Sequence, residues 1–389
     1  MKIIYGYSNC TDKKYNEIFK DKSVAVLQPD QKYHSLLIKG LAQNGARVSC
    51  YSGLPINRNV TKKIFINEKD ETENGVSYHY YNTINLPIIR QAMILLGAKR
   101  AVRKEEKDDK TFVICDCLNR ANALGMAKAA KKRKIPVIMI VTDLPDYQFD
   151  NKTAKKYNQL LEKADGYIFL TEQMNERINK NGKPYIVLEG HTDCALKEID
   201  ATQRYENVTG KKVVVYAGSI TRLYGIQVLV EAFINANIDN AELQIFGDGD
   251  YRKELEEICK VHSNVKYMGI RPNVEVVDTE QRAALLVNPR PSAPDYTKYS
   301  FPSKNMEYMI SGTPVLTTKL PGMPKEYYSY VYPIEDETVA GISATLQKVL
   351  NLSMQERDEL GMCAREFVLK YKSNVVQAKK ILNFLEEKY

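Results

Sequence analysis

No apolar run in this chain of 389 residues approaches the ~20 needed to span a bilayer as a helix, so an ordinary membrane-crossing segment is excluded. Cysteines at metal-ligand spacing are also missing. The seven present, at positions 10, 50, 115, 117, 194, 259 and 363, are odd in number and scattered, mostly in apolar strand-like runs. That distribution predicts reduced thiols rather than a disulfide framework, with Cys115 and Cys117 as strand residues rather than metal ligands. There are only four histidines. No internal repeat or low-complexity tract is visible, and basic residues are nowhere interleaved with aromatics as in a nucleic-acid module, which argues against a nucleic-acid partner. Met1 to Tyr7 reads as a strand rather than as a basic segment followed by an apolar one, so a cytoplasmic protein is expected.

The length suggests two domains, each large enough to be stable without staples. The net charge of +8 is unevenly divided: residues 1–200 hold 33 Lys and Arg against 24 Asp and Glu, and the remainder 23 against 24. A basic first half implies an anionic partner there or a solvated lysine-rich face. Pro87 to Lys104 places Ile88, Ile89, Ala92, Met93 and Leu96 on one side of a helical pattern, near Arg90, Lys99, Arg100, Arg103 and Lys104. This is an interfacial helix on an anionic membrane surface or an ordinary core-facing helix; the run Lys131 to Lys134 favours the former.

Strand-like runs alternate with helix-period segments throughout, the pattern of an α/β protein with parallel sheets wrapped by helices. Candidate strands are 1–7, 46–52, 76–82, 111–117, 135–143, 164–171 and 184–190, then 212–218, 241–247, 264–269, 282–289 and 313–318. The polar stretch from Asp193 to Lys212 marks the boundary. This gives two doubly wound, Rossmann-like domains, 1–195 and 196–372, around an interdomain cleft, with ligands beyond the carboxyl ends of the strands. Residues 373–389 form a closing helix with apolar positions at 375, 376, 381, 382 and 385.

The most informative segment is Tyr299 to Pro314, Tyr-Ser-Phe-Pro-Ser-Lys-Asn-Met-Glu-Tyr-Met-Ile-Ser-Gly-Thr-Pro. Pro302 suits a helix start and Gly312 with Pro314 a stop, predicting a helix over 303–311. Its open amides and positive dipole end fall at Ser303, Lys304 and Asn305, a ready site for phosphate. Glu307 follows about one turn later, where it can accept hydrogen bonds from ribose hydroxyls. A second phosphate-type turn is Val213 to Gly225, a strand ending at Gly218, then Ser219 and Arg222. A third turn, Leu243 to Asp250, passes through Gly247. The carboxylates Asp248 and Asp250 beside it match the metal pair of a different fold, but phosphate charge here is assigned to Arg, Lys and amide groups, with no metal.

Tyr299 to Pro314 resembles the donor-site signature of the family 4 glycosyltransferases, retaining enzymes of the GT-B fold. Glu307 and Gly312-Thr313-Pro314 match the second half of the family's Glu-x7-Glu pattern, while the first glutamate is replaced by Tyr299. The chain is similar to the branch reading Phe-Pro-Ser-Lys, which assembles bacterial surface polysaccharide. Ser219 and Tyr224 stand where the family carries an arginine and a lysine on the donor diphosphate, so Arg222 and Lys304 are expected to supply that charge. The resemblance further implies that the groups after Gly269, Ile270 and Arg271, lie by the nucleobase, and that the closing helix crosses onto the first domain.

On the acceptor side, Lys32 and His34 precede a helix over Ser35 to Ala42. His34 can touch acceptor or sugar hydroxyls or serve structure alone. Asp143, after the strand ending at Val141, can bind an acceptor or sugar hydroxyl or cap a turn. Glu189 to Asp193 is read as a hinge. The implied reaction moves a sugar from a nucleotide diphosphate donor, UDP-linked, to a glycan or lipid-linked acceptor at the inner face of the membrane, with no cofactor and with Asp143, Glu307 and Tyr299 nearest the chemistry. Two alternatives stay open. One is a sugar-nucleotide 2-epimerase, whose carboxylate cluster is not evident. The other is a catalytically silent scaffold, which Tyr299 and Ser219 keep in play.

Overall fold

Strands covered by helices on both faces must be apolar throughout, and Lys2–Gly6, Val137–Val141 and Gly166–Phe169 are buried at every position. The computed structural model describes residues 1–19 and 28–389. Its contacts divide the chain into two units, Met1–His191 with Ser373–Tyr389, and Thr192–Lys372.

In the first unit the described strands are β1 (Lys2–Gly6), β2 (Arg47–Ser52), β3 (Phe65–Ile66), β4 (Glu71–Glu73), β5 (Val76–Tyr80), β6 (Thr83–Ile84), β7 (Thr111–Asp116), β8 (Val137–Val141), β9 (Gly166–Phe169) and β10 (Tyr185–Val187). Their order is β10-β9-β8-β7-β1-β2-β5-β4, parallel except where β4 runs against β5, while β3 and β6 form a separate antiparallel ribbon. The chain leaves β1 through β2 and β5 and returns on the other side through β7. The strand order therefore reverses between β1 and β7. The helix Asn374–Lys388 closes this unit: Asn374 Nδ2 donates to Leu36 O at 3.2 Å, and Asn44 Nδ2 to Val375 O at 2.9 Å. Ile381 and Leu385 are buried as expected, with Leu382 packed beside them, but in the first turn Asn374 and Gln377 face inward instead, Gln377 Nε2 donating to Gly190 O at 2.8 Å. Val375 and Val376 are left half-buried.

The second unit contains β11 (Lys212–Ala217), β12 (Ala241–Phe246), β13 (Val265–Gly269), β14 (Leu285–Asn288), β15 (Val315–Thr318) and β16 (Tyr332–Ile334). All are parallel, in the order β13-β12-β11-β14-β15-β16. Here the reversal falls between β11 and β14. Leu229, Phe233, Leu255 and Leu346 pack one face of the sheet, and Met309, Tyr327, Ala364 and Val368 the other.

The stretch expected as a linker, Asp193 to Lys212, is instead packed into the second unit. Arg204, 6% exposed, donates to Gln281 O and Thr313 Oγ1 at 2.5 Å and to Gly312 O at 3.0 Å, and meets Asp358 at 3.2 Å. Most of the stretch is solvent-exposed, which accounts for its polar composition, and buried Arg204 is what anchors it.

Candidate functional site

Ligands of open parallel sheets sit beyond the carboxyl ends of the strands where the order reverses. In the second unit those ends are Ala217, closing β11, and Asn288, closing β14. The helix Ser303–Ser311, with the bounds expected from Pro302 and Gly312, begins in the loop after β14. Gly312 adopts φ 77° at its end, the left-handed cap that glycine allows.

Two side chains of this helix hold it against β11. Tyr308 OH accepts from Ala217 N at 2.9 Å, and Lys304 Nζ donates to Ala217 O. Lys304 thereby lies directly over Gly218, where a Cβ would overlap its ammonium, and 5.8 Å from the centre of the Tyr216 ring. Burial pulls the Lys304 ammonium below its ordinary pKa, opposed by the Glu307 and Glu280 carboxylates. Glu307 is half-buried one turn along the same helix. Gly218, Lys304 and Glu307 are thus brought together. Gly247 supports the arrangement from behind. Its φ is 126°, and a Cβ there would collide with the Gly218 carbonyl, so only glycine lets the β11 and β12 turns touch.

Other expected residues are placed differently. Asn305 is fully buried: its Oδ1 accepts from Asn288 Nδ2 at 2.8 Å and its Nδ2 donates to Thr317 Oγ1 at 3.1 Å. Its backbone N–H is bonded to Pro302 O at 2.8 Å, so its amide is not open to a ligand. That leaves the amides of exposed Ser303 and of Lys304, which by position have no intrahelical acceptor.

Arg222 stands in a short 3₁₀ turn, Arg222–Tyr224, with its guanidinium paired at the surface. Its guanidinium bonds Glu254 at 3.0 Å and Gln227 at 3.1 Å and lies 5.1 Å over Tyr251, the Glu254 bond raising its pKa. Asp250 and Asp248 accept from the amides of Arg222 and Gly249 at 3.2 and 2.9 Å, as turn-closing groups do. Ser219 is exposed, its carbonyl accepting from Tyr216 OH at 2.7 Å. Tyr299 ends the 3₁₀ turn Asp295–Tyr299, half-buried. Ile270 is 56% exposed beyond β13, which removes a packing role for it; Arg271 beside it donates to Met268 O at 2.9 Å.

In the first unit the acceptor-side expectation for His34 needs correction. The helix runs Gln28–Gln43, so His34 lies within it rather than at its start. The ring is 1% exposed, stacked on Tyr7 with centroids 3.5 Å apart, its Nε2 3.3 Å from the equally buried Asp116 and its Nδ1 bonded to Tyr5 OH. Buried among these partners, it ties the ends of β1 and β7 to the helix, a structural role. Lys32 is exposed on the same helix, and Asp143 is half-buried two residues beyond β8. His191, in the segment read as a hinge, donates from Nε2 to Tyr33 O at 2.7 Å, and burial lowers its pKa to about 4.

The helix Pro87–Lys104 turns Ile94, Ala98, Ala101 and Val102 inward and leaves Ile88, Ile89, Ala92 and Leu96 of the predicted apolar stripe exposed, with Met93 half-buried and its Sδ accepting from Ile84 N at 3.3 Å. Ile88 is 86% exposed, with Ile89 and Leu96 also exposed, and Ile64 and Phe65 form a further exposed pair on and beside β3. Arg90 is not available to a surface, because it donates to the Leu54 and Ile56 carbonyls and burial lowers its pKa. Among the described residues, no helix is long and apolar enough to cross a membrane.

Residues 211–351 match the family model of the glycosyl transferases, group 1. No curated protein matches the sequence. Three solved structures align over the full length of this chain and of their own: HepE of Anabaena in complex with UDP, at 14% identity and TM-score 0.68; sucrose-phosphate synthase of Thermosynechococcus elongatus, at 16% and 0.69; and the lipopolysaccharide outer core galactosyltransferase WaaB, at 15% and 0.64. At such identities the likeness speaks to the fold, which is GT-B. Within that fold one segment, residues 211–351, is similar to the group 1 glycosyl transferases.

Proposed function

We propose that this protein is a retaining glycosyltransferase that moves a sugar from a UDP-linked donor to an acceptor hydroxyl. The observation that carries the reading is the meeting of Lys304 with the Gly218 turn at the strand-order reversal, one helical turn from Glu307. A diphosphate laid on the Ser303 and Lys304 amides meets a cation and a helix dipole together. Glu307 then accepts from the ribose hydroxyls, and exposed Ile270 and Arg271 flank the base. HepE, which shares the fold, binds UDP, and that supports the choice of nucleotide.

In the reaction the acceptor oxygen bonds to the anomeric carbon on the face from which the diphosphate leaves. The bond from that carbon to the phosphate oxygen breaks, and the leaving oxygen takes the acceptor proton. No strong protein base is required, so the task is electrostatic and positional. Asp143, Lys32 and Tyr299 are proposed to orient the sugar and acceptor. The acceptor is proposed to be a lipid-linked glycan, met at a membrane surface on which the exposed face of Pro87–Lys104 rests while Lys99, Arg100, Arg103 and Lys104 pair with anionic headgroups.

Thermal shift with a panel of nucleoside diphosphates, followed by UDP release from UDP-sugars, tests this. UDP should stabilise the protein, and Glu307→Ala should weaken binding at least tenfold. Binding without turnover on any acceptor would favour the silent scaffold. No stabilisation by any nucleoside diphosphate would remove the reading.

A further inference from the structure

Within the second unit, every arginine that is buried or half-buried has a carboxylate within 4.0 Å except one. Arg204 meets Asp358, Arg282 meets Asp278, Arg357 meets Glu206, and Arg365 meets Glu198. Arg290 is the exception among the described residues. It stands two residues after β14, between Pro289 and Pro291, at the strand end that flanks the order reversal opposite Gly218.

Its guanidinium lies between two tyrosine rings, 4.8 Å from the centre of Tyr296 and 5.2 Å from that of Tyr224. One nitrogen is 3.3 Å from Ser300 Oγ, two residues before the Pro302 that precedes the helix, and its buried Nε has no hydrogen-bond partner. It lies within electrostatic reach of Tyr216, the ring that also faces Lys304. A half-buried guanidinium with an unfilled donor and no counter-charge is costly unless an anion completes it. Its planar fork suits phosphate oxygens bidentately, and flanking rings hold that plane fixed.

We infer that Arg290 binds the donor diphosphate, supplying the guanidinium that Ser219 cannot and that Arg222 spends on Glu254. The inference rests on the nucleotide-sugar reading above. Lys304 then meets the diphosphate from the helix start and Arg290 from the end of β14, on either side of the reversal.

Affinities of the full-length protein for UDP, GDP, ADP and CDP, and for the monophosphate of whichever binds tightest, test it by calorimetry. Arg290→Gln, which keeps most of the packing between the tyrosines, should weaken the diphosphate at least tenfold and the monophosphate much less, so that the discrimination between them shrinks. Arg290→Lys should recover part of the loss. A merely structural role would weaken both nucleotides equally or leave both unchanged, and either result overturns the inference while the donor-site reading stands. Should the wild-type protein bind no nucleoside diphosphate, both fall together. If Arg290→Gln does not fold, Arg290→Lys decides: an unchanged diphosphate-to-monophosphate ratio overturns the inference, and a reduced one upholds it.

Discussion

At the scale of single residues, the site depends on positions where another side chain would be in the way. Gly247 is the clearest, since its φ of 126° and its contact with the Gly218 carbonyl leave no place for a Cβ. Gly247→Ala should destabilise the protein by roughly 1–3 kcal/mol, read as a lower urea midpoint, and should weaken UDP binding by shifting Gly218. The burial that lowers His191 to about 4 from an ordinary 6.5 also has a consequence. The folded state prefers the neutral ring, so between these pH values the unfolded chain binds more protons. Stability from this group is complete above about pH 6.5 and is lost as the pH falls toward 4, by up to ~3 kcal/mol. Urea unfolding at pH 7 and pH 5 should therefore show a smaller difference in His191→Gln than in the wild type. Neither effect was legible in the sequence: the glycine's neighbour arrives from another strand, and the histidine's acceptor, Tyr33 O, lies 158 positions away.

At the scale of elements, the helix Ser303–Ser311 was legible in its bounds because Pro302 and Gly312 are local signals. Its internal allocation was not, because which face turns to the core is set by the sheet behind it. Asn305 illustrates this: polar and near the helix start, it nevertheless serves Asn288 and Thr317 inside. Asn305→Leu should cost about 1–3 kcal/mol by leaving the Asn288 amide unsatisfied, measurable as a lower melting temperature. The helix Pro87–Lys104 is apolar on both faces, so its sequence could not say which faces water. With Ile88 86% exposed, Ile88→Asp should change stability by no more than ~0.5 kcal/mol, yet should reduce sedimentation with anionic vesicles. Unchanged sedimentation would remove this face from membrane contact. The strands missed, β3, β4, β6 and β16, are two or three residues long, too short for any period to show.

At the scale of the whole molecule, the charge division and the topology belong together. The unit that contains most of residues 1–200 holds the basic excess, and the group 1 segment lies in the other. Binding to anionic vesicles, if it draws on that excess, should weaken as salt shortens the screening length from ~10 Å at 0.1 M to ~3 Å at 1 M. UDP affinity, which relies on half-buried groups, should fall far less over the same range. Equal sensitivity in the two assays would contradict this division of labour.

The sequence by itself determined the strand and helix alternation, the parallel α/β class, the phosphate-type turns and the resemblance of one segment to a known donor site. Each of these is written in residues adjacent along the chain, where periodicity, proline and glycine act locally. Tertiary structure alone decided which polar groups already have partners. Arg222 is paired with Glu254 at the surface, His34 is bonded to Tyr5 beside Asp116, and Asn305 to Asn288, while Arg290 has no carboxylate within 4.0 Å among the described residues. The reason is physical: the charge and hydrogen-bonding capacity of a side chain are intrinsic, but whether they are already spent depends on neighbours that only folding brings within reach.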